Sequence, residues 1–480
     1  MKPLLAILWS ALLGSSAHAQ PTTPGTPPSD AGAASPDPGA PAPAPDAPPT
    51  PDAPVASQPP SPPPVLDAAA IEKLIDARVD ERLAKQPRAA GGKDGFFVQT
   101  SDGGSRIQIG GILQFDGRWF IDDADDPHVD QFAFRSIRPD LQGTLFEHYD
   151  FRLLPDFAGA RLVLQEAYVD LRYGDAVKFR FGKFKVPFGL ERLQSEANTA
   201  FIERGLPTQI APNRDLGVQV FGELARGIVA YQVGVFNGVA DGQSGDGDVS
   251  DDKELAARVF VKPFATGGRL VKELGIGAAA TYGDKLGTLA SPDVASFRTQ
   301  GQTTFFSYKV GTTLMDTVIA DGPHWRVTGQ GHYYAGPLGV LAEYIRSRQK
   351  IAIDGTHQWV AVDAWQILGQ WVITGGDASY KGVAPRRPFD PHRGQWGAFD
   401  IAARIGELRL SGAEIYPHGY ADPTKSAHRA WSAGGGADWF LNKNLRFVLD
   451  FEHTWYDRGA KDGGDKPAES SLVGRLQITF

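Results

Sequence analysis

Arginines and lysines set among acids along short alternating segments are the residues best suited to chemistry here. Arg138, Arg152, Arg172, Lys178 and Arg180 each lie on the ionisable side of such a segment. Arg192, Arg204 and Arg214 fall in or just after the stretch Leu190–Asn213. Lys381, Arg386, Arg387 and Arg393, with His392 beside them, form a second basic group. A guanidinium offers a planar fork of donors that fits phosphate and carboxylate oxygens. Lined along a narrow wet path, such groups attract anions and repel cations. Acids accompany them: Asp140, Asp150, Asp156, Glu166 and Asp170 on the segments, and Glu191, Glu196, Glu203 and Asp215 around the long stretch. The other reading is that each arginine pairs with an acid and holds a loop against a wall.

Other chemistry finds little support. The chain has no cysteine, which rules out thiol catalysis and thiolate metal sites. Its ten histidines form no pair at three or four residues, so no zinc motif appears. Asp246, Asp248 and Ser250 echo a calcium loop, but Asp251 stands where glycine is needed and Ala257 where glutamate is. No nucleophile elbow, phosphate-binding glycine loop or dinucleotide fingerprint is present. The formal charge of −8 gives no support to nucleic-acid binding. No cofactor is expected, and no enzyme activity.

The elements that must position the basic residues follow from the order of segments. Residues 1–19 read as an export signal: Met1, Lys2, an apolar run from Leu4 to Leu13, then Ala17, His18 and Ala19. Residues 20–64 are almost all Pro, Ala, Ser, Asp and Gly, a linker that cannot bury a core. It serves either as a spacer or as a periplasmic contact with the cell wall. Residues 65–86 predict a short amphipathic helix, with Ile71, Leu74, Ile75, Val79 and Leu83 on one side. That helix either joins a coiled coil with other copies or stands alone. Residues 87–104 read as a further linker, and 105–480 as one β domain.

From Arg106 onward the hydropathy period is two. Ile107, Ile109, Leu113 and Phe115 alternate with Arg106, Gln108, Gln114 and Asp116. Leu445, Phe447, Leu449 and Phe451 alternate with Arg446, Val448, Asp450 and Glu452. The final segment alternates likewise and stops on Phe480. A strand with one greasy and one ionisable face suits a wall with lipid outside and water inside. Short links, such as Glu147–Tyr149 and Leu441–Asn444, alternate with long ones, such as Leu190–Asn213 and Lys285–His324. Counting gives about sixteen antiparallel strands, an even number as an outer-membrane β-barrel requires. Thr304–Val310 is left in a loop, and a phase change after Gly182 predicts a bulge or bend. A barrel of this size encloses an aqueous channel.

Phe132–Phe157, Glu166–Tyr173, Phe179–Glu191 (FRFGKFKVPFGLE), Pro207–Leu224, Tyr231–Gly238 and Tyr380–Pro391 (YKGVAPRRPFDP) carry a resemblance. Over about Arg106 to Phe480 the chain resembles the phosphate-selective porin O and P family of Gram-negative outer membranes. The resemblance implies a sixteen-stranded barrel, usually a homotrimer, with its third extracellular loop folded into the channel. It also implies anion passage, with arginines leading from outside to the constriction and a lysine cluster towards the periplasm. The expected function is therefore a passive outer-membrane channel for small inorganic anions, phosphate or related oxyanions among them. A broader diffusion pore of the same fold, or a secreted β-rich binding protein or enzyme, are the alternatives. Within this expectation Arg192, Arg204 and Arg214 are the constriction contacts, and Arg138, Arg152, Arg172, Lys178 and Arg180 line the pore. Lys381, Arg386, Arg387 and Arg393 line a vestibule, bind lipid headgroups or meet another subunit.

Overall fold

The computed structural model describes residues 67–92, 95–121, 128–248 and 250–480. The expected export signal, the whole 20–64 linker and the first two residues of the 65–86 segment lie outside them. Helix α1 (Ala68–Ala84) buries none of its residues. Its apolar residues Ile71, Leu74, Ile75, Val79 and Leu83 are all exposed. No helix among the described residues is long and apolar enough to cross a membrane, a test that does not apply to strands.

A hairpin of β1 (Arg88–Gly92) and β2 (Gly95–Gln99) precedes the barrel. The first nine barrel strands are β3 (Arg106–Ile121), β4 (Gln131–Leu145), β5 (Tyr149–Asp156), β6 (Val163–Arg172), β7 (Lys178–Lys185), β8 (Arg214–Leu224), β9 (Val229–Phe236), β10 (Glu254–Val261) and β11 (Gly275–Leu286). Then come β12 (Phe297–Arg298) and β13 (Thr304–Phe306), which pair only with each other, inside a loop. The barrel resumes with β14 (Ile319–Ala335), β15 (Leu338–Ile353), β16 (Thr356–Thr374), β17 (Ala398–Leu410), β18 (Arg429–Phe440), β19 (Leu445–Asp457) and β20 (Glu469–Thr479). Each strand pairs antiparallel with the next, and β20 returns to β3 with Thr479 opposite Ile112, so the barrel closes. The eighteen strands of this sheet are sixteen in the barrel and two in the hairpin.

β20 pairs with β3 only from Ile112 upward and leaves the lower edge of β3 open. There β2 takes the place that β20 leaves: Phe96 pairs with Ile109 and Gln99 with Arg106. Residues 87–104 are thus a hairpin where the sequence reading has a linker. The reason is the open edge at Arg106–Ile109, whose unpaired amides and carbonyls a strand can cover. Above it, Phe480 and Gly111 exchange two backbone hydrogen bonds, at 2.9 and 3.1 Å.

The alternation lies as expected. On β19, Phe447, Leu449 and Phe451 are exposed while Arg446, Asp450 and Glu452 are buried. Trp431 of β18 and Trp455 of β19 stack on the outer face, 4.0 Å apart. Short links gather at one end and most long loops at the other. An exception is the tight turn at Asp354 and Gly355, both with positive φ, between two long strands.

The phase change after Gly182 is a backbone feature. Gly182 has φ +125°, and an added Cβ would lie 2.2 Å from the Ala167 carbonyl oxygen on β6. Gly182→Ala is expected to destabilise the barrel by more than about 2 kcal/mol, through strain and a backbone clash. Urea unfolding of the detergent-folded protein, followed by gel mobility, checks this; an unchanged midpoint contradicts it.

Candidate functional site: a loop across the lumen

Residues 186–213 join β7 to β8 and cross the barrel interior. They hold the single helical turn α2 (Leu190–Leu193) and a 3-10 turn at Leu206–Gln209. At the near end, the Leu190 amide donates to Glu343 Oε2 on β15 at 2.8 Å. Gln366 of β16 donates to Glu191 and Glu343, at 2.8 and 2.9 Å. At the tip, three wall arginines each donate to a loop carbonyl. Arg404 reaches Glu203 O at 2.9 Å, Arg446 reaches Thr199 O at 2.9 Å, and Arg475 reaches Ile202 O at 3.1 Å. Each keeps an acid partner on the wall: Glu452, Asp438 and Asp116 respectively. Phe201 and Leu190 pack with Leu341, Leu368 and Ala402, which face inward from β15, β16 and β17.

A second element meets the loop from the end of the short links. Residues 375–397, between β16 and β17, fold so that Tyr380 Oη donates to Leu190 O at 2.6 Å. Gln194 Nε2 returns a bond to Tyr380 O at 2.8 Å. Tyr380 stacks on His332 of β14, 5.1 Å away. The lumen is thus filled against the β14–β20 wall and where Phe184 of β7 and Phe236 of β9 join the loop's Leu206 and Ile210 in one apolar cluster; openings remain elsewhere along the β3–β9 wall.

Along the β3–β9 wall run paired charges. Arg152 lies between Asp140, at 2.7 Å, and Glu166, at 2.9 Å. Arg180 makes two bonds of 2.7 Å to Asp170, with its guanidinium 3.9 Å above the Tyr168 ring. Arg138 holds Asp156 at 2.6 Å and also Glu196 of the loop. Arg214 reaches Glu166 at 3.1 Å.

Two openings flank this point. On the short-link side, a cavity of about 400 Å³ is lined by Arg138, Arg152, Arg180, Lys185 and Arg214 against Asp140, Glu166 and Glu196. On the long-loop side, a cleft of about 370 Å³ is lined by Arg118, Arg135 and Arg138 against Asp116 and Asp156. Arg138 borders both. Basic groups outnumber acids on each side.

A closed, lipid-faced barrel with a loop across a wet lumen is the architecture of a porin, and the comparisons agree. The family described as phosphate-selective porin O and P matches residues 107–480. The chain belongs to the phosphate-selective porin O and P family. Porin O of Pseudomonas aeruginosa is 23% identical over 432 residues, covering 81% of this chain and 91% of that one. The outer-membrane channel DcaP of Acinetobacter baumannii has a TM-score of 0.53 at 12% identity, covering 82% of this chain and 99% of that one. An anion-selective porin from Comamonas acidovorans has a TM-score of 0.50 at 12% identity, covering 78% and 100%. The protein is therefore a channel of the Gram-negative outer membrane and not an enzyme. In this porin the short links are periplasmic and the long loops extracellular.

The sites read from sequence separate into groups. Arg138, Arg152, Arg180 and Arg214 line the periplasmic cavity. Arg172 pairs with Asp150 at 2.8 Å and Lys178 with Asp175 at 3.5 Å, near the periplasmic rim and away from that cavity. Arg192 and Arg204 turn into the loop's own body. Arg192 donates to Thr208 O, and Arg204 to Glu191 O and Gln194 O at 3.0 and 2.9 Å. They shape the loop from within, because a loop crossing a lumen must satisfy its own carbonyls. Burial and the nearby Arg204 and Arg214 hold the Arg192 pKa down, to about 9. Burial alone would raise the Glu196 carboxyl, but Arg138, Arg204 and Arg214 outweigh it and keep it well below the usual carboxylate range. Lys381, Arg386, Arg387 and Arg393 lie exposed on the periplasmic 375–397 link, where Arg386 pairs with Asp377 at 2.8 Å.

Sequence reasoning missed Arg118, Arg135 and Lys185. Arg135 is the extra residue of a bulge: Gln114 faces Ser136, but Phe115 faces Phe134. The bulge turns Arg135 inward to Glu203, at 2.9 Å. The signal was available, since Phe132, Phe134, Ser136 and Arg138 share one parity yet change from greasy to polar. Lys185 reaches Gln194 O at 2.9 Å and is the one lysine lining the periplasmic cavity. The lysine cluster that the resemblance implies is not gathered there; Lys183 is buried and pairs with Asp246.

Proposed function

We propose that this porin passes small anions in preference to cations, with phosphate-like oxyanions among its solutes. The supporting observation is that basic residues outnumber acids among those lining the openings on both sides of Arg138, three against two in the outer cleft and five against three in the inner cavity, with the paired acids Glu203 and Asp170 outside that lining. An anion entering from outside meets Arg118 and Arg135, passes Arg138, and is released among Arg152, Arg180, Lys185 and Arg214. Each arginine of this path has an acid within ion-pair reach, so no site holds a full uncompensated charge. Binding at each step is accordingly weak, which conduction requires.

Reversal potentials of the purified protein in bilayers under a KCl gradient test the reading. Chloride permeability above potassium, and reduced chloride current on adding millimolar phosphate, are the expected results. Cation preference defeats the proposal; anion preference without any effect of phosphate reduces it to a general anion pore.

The working unit we propose is a homotrimer. The apolar residues Ile71, Leu74, Ile75, Val79 and Leu83 of α1, exposed in one chain and interspersed with Arg78 and Arg82, are then covered by the same helix of neighbouring copies. Deleting residues 65–86 should lower the temperature at which trimers dissociate on unheated gels, while single-channel conductance stays constant. An unchanged dissociation temperature removes the coiled coil from the assembly.

A further inference from the structure

On β15 the inward residues Glu343, Ser347 and Gln349 are buried, so Tyr344, Arg346, Arg348 and Lys350 project from the outer wall. Below them on the same face stand Leu338, Val340 and Ala342, part of the apolar belt. At roughly 3.3 Å per residue and a tilt near 40°, Arg346 stands about 20 Å above the periplasmic turn, and Lys350 about 30 Å. The apolar band of such barrels is about 25 Å tall. Arg348 and Lys350 therefore stand at the headgroup level of the outer leaflet, with Arg346 about 5 Å below the upper edge of the band.

Their neighbourhood is under-compensated. Asp363 on β16 lies opposite both Arg346 and Arg409 of β17 in register. It sits 3.8 Å from Arg346 and also accepts from Tyr344 Oη. Among the described residues, Arg348, Lys350 and Arg409 have no carboxylate partner. Arg348 instead lies 5.1 Å over the Trp359 ring. A register shift in β14 between Ala320 and His324 clears space beside Lys350, where a Cβ on Gly322 would approach Lys350 Cδ to 2.9 Å.

Water solvates such a group at no benefit to the fold. A ligand with acyl chains below and anionic oxygens above matches both halves of the wall: the greasy belt and the donors at its upper edge. We infer that Arg346, Arg348, Lys350 and Arg409 bind the phosphate groups of an outer-leaflet phosphoglycolipid, whose acyl chains lie on the belt beneath. The site is on the lipid side of the wall and is independent of the solute path.

The test uses the full-length porin in detergent, with native mass spectrometry against added bis-phosphorylated lipid A, dephosphorylated lipid A and inorganic phosphate. Wild type should retain bis-phosphorylated lipid A, and much less of the dephosphorylated form. The triple variant Arg346→Gln, Arg348→Gln, Lys350→Gln should bind about a hundredfold more weakly, from about fivefold per charge near an anionic surface. The swap Arg346→Lys, Arg348→Lys, Lys350→Arg should retain most binding. Single-channel conductance, equal in all three proteins, reports that the barrel is folded. Equal retention by the glutamine variant, or of the dephosphorylated lipid, overturns the inference. So does displacement by millimolar inorganic phosphate alone, or a change of oligomeric state with lipid binding intact, which marks a contact between copies.

Discussion

Arg138→Ala is expected to abolish the proposed anion preference of this porin and move it towards cations. The residue borders both the outer cleft and the inner cavity, so a solute on the proposed path passes it. It also neutralises Asp156 and Glu196 together. Removing it leaves Asp156 without its arginine, while Glu196 keeps Arg204 and Arg214 at 3.4 and 3.8 Å. A unit charge about 6 Å from a permeant ion, in a screened lumen of effective dielectric near 40, is worth about 1.4 kcal/mol. The chloride-to-potassium permeability ratio should therefore fall about tenfold. Arg138 is the first of the charges that hold the buried Glu196 carboxyl low, so its removal raises that pKa, and acidification should move the variant's ratio back towards the wild-type value. An unchanged reversal potential would place the selectivity elsewhere on the wall. Arg192→Ala should have a smaller effect on selectivity, because that guanidinium is spent on Thr208 O inside the loop.

The second large effect concerns the loop's moorings. The carbonyls of Thr199, Ile202 and Glu203 are held by Arg446, Arg475 and Arg404, from three different strands. A guanidinium can serve a wall carboxylate and a loop carbonyl at once; a lysine ammonium at the same place keeps the charge but loses the fork. The triple variant Arg404→Lys, Arg446→Lys, Arg475→Lys should therefore free the tip without changing the net charge. Three hydrogen bonds from charged donors, at about 1.5–3 kcal/mol each, are enough to shift a surface loop from held to mobile. Single-channel conductance should rise about twofold and become noisy, as a crossing segment of the lumen swings aside. Steady conductance at the wild-type level would show that the apolar packing of Phe201 and Leu190 holds the loop unaided. The Tyr380 side chain contributes a single hydrogen bond from the periplasmic side, and its loss should matter less.

Much of the wall is legible in the sequence because a strand's side-chain period does not depend on its partner. Lipid on one side and water on the other sort residues by parity, so the greasy and ionisable sets of β3 and β19 can be assigned from the chain alone. The count of barrel strands follows from the same periodicity, and the phase change after Gly182 marks its positive φ; Thr304–Val310 is excluded by the even strand number a barrel requires, and β13 within it pairs only with β12. The wall cations Arg138, Arg152 and Arg180 are also visible this way.

Tertiary structure alone decided where those charges act. The bulge that turns Arg135 inward depends on the register of β3 against β4. The moorings of the loop join residues 199–203 to Arg404, Arg446 and Arg475, partners more than two hundred positions away along the chain. Inward apolar residues such as Leu341, Leu368 and Val448 break the parity rule because a loop, not water, covers them. Periodicity is a property of one strand and its two faces; pairing across a lumen is a property of the closed cylinder, which no local pattern encodes.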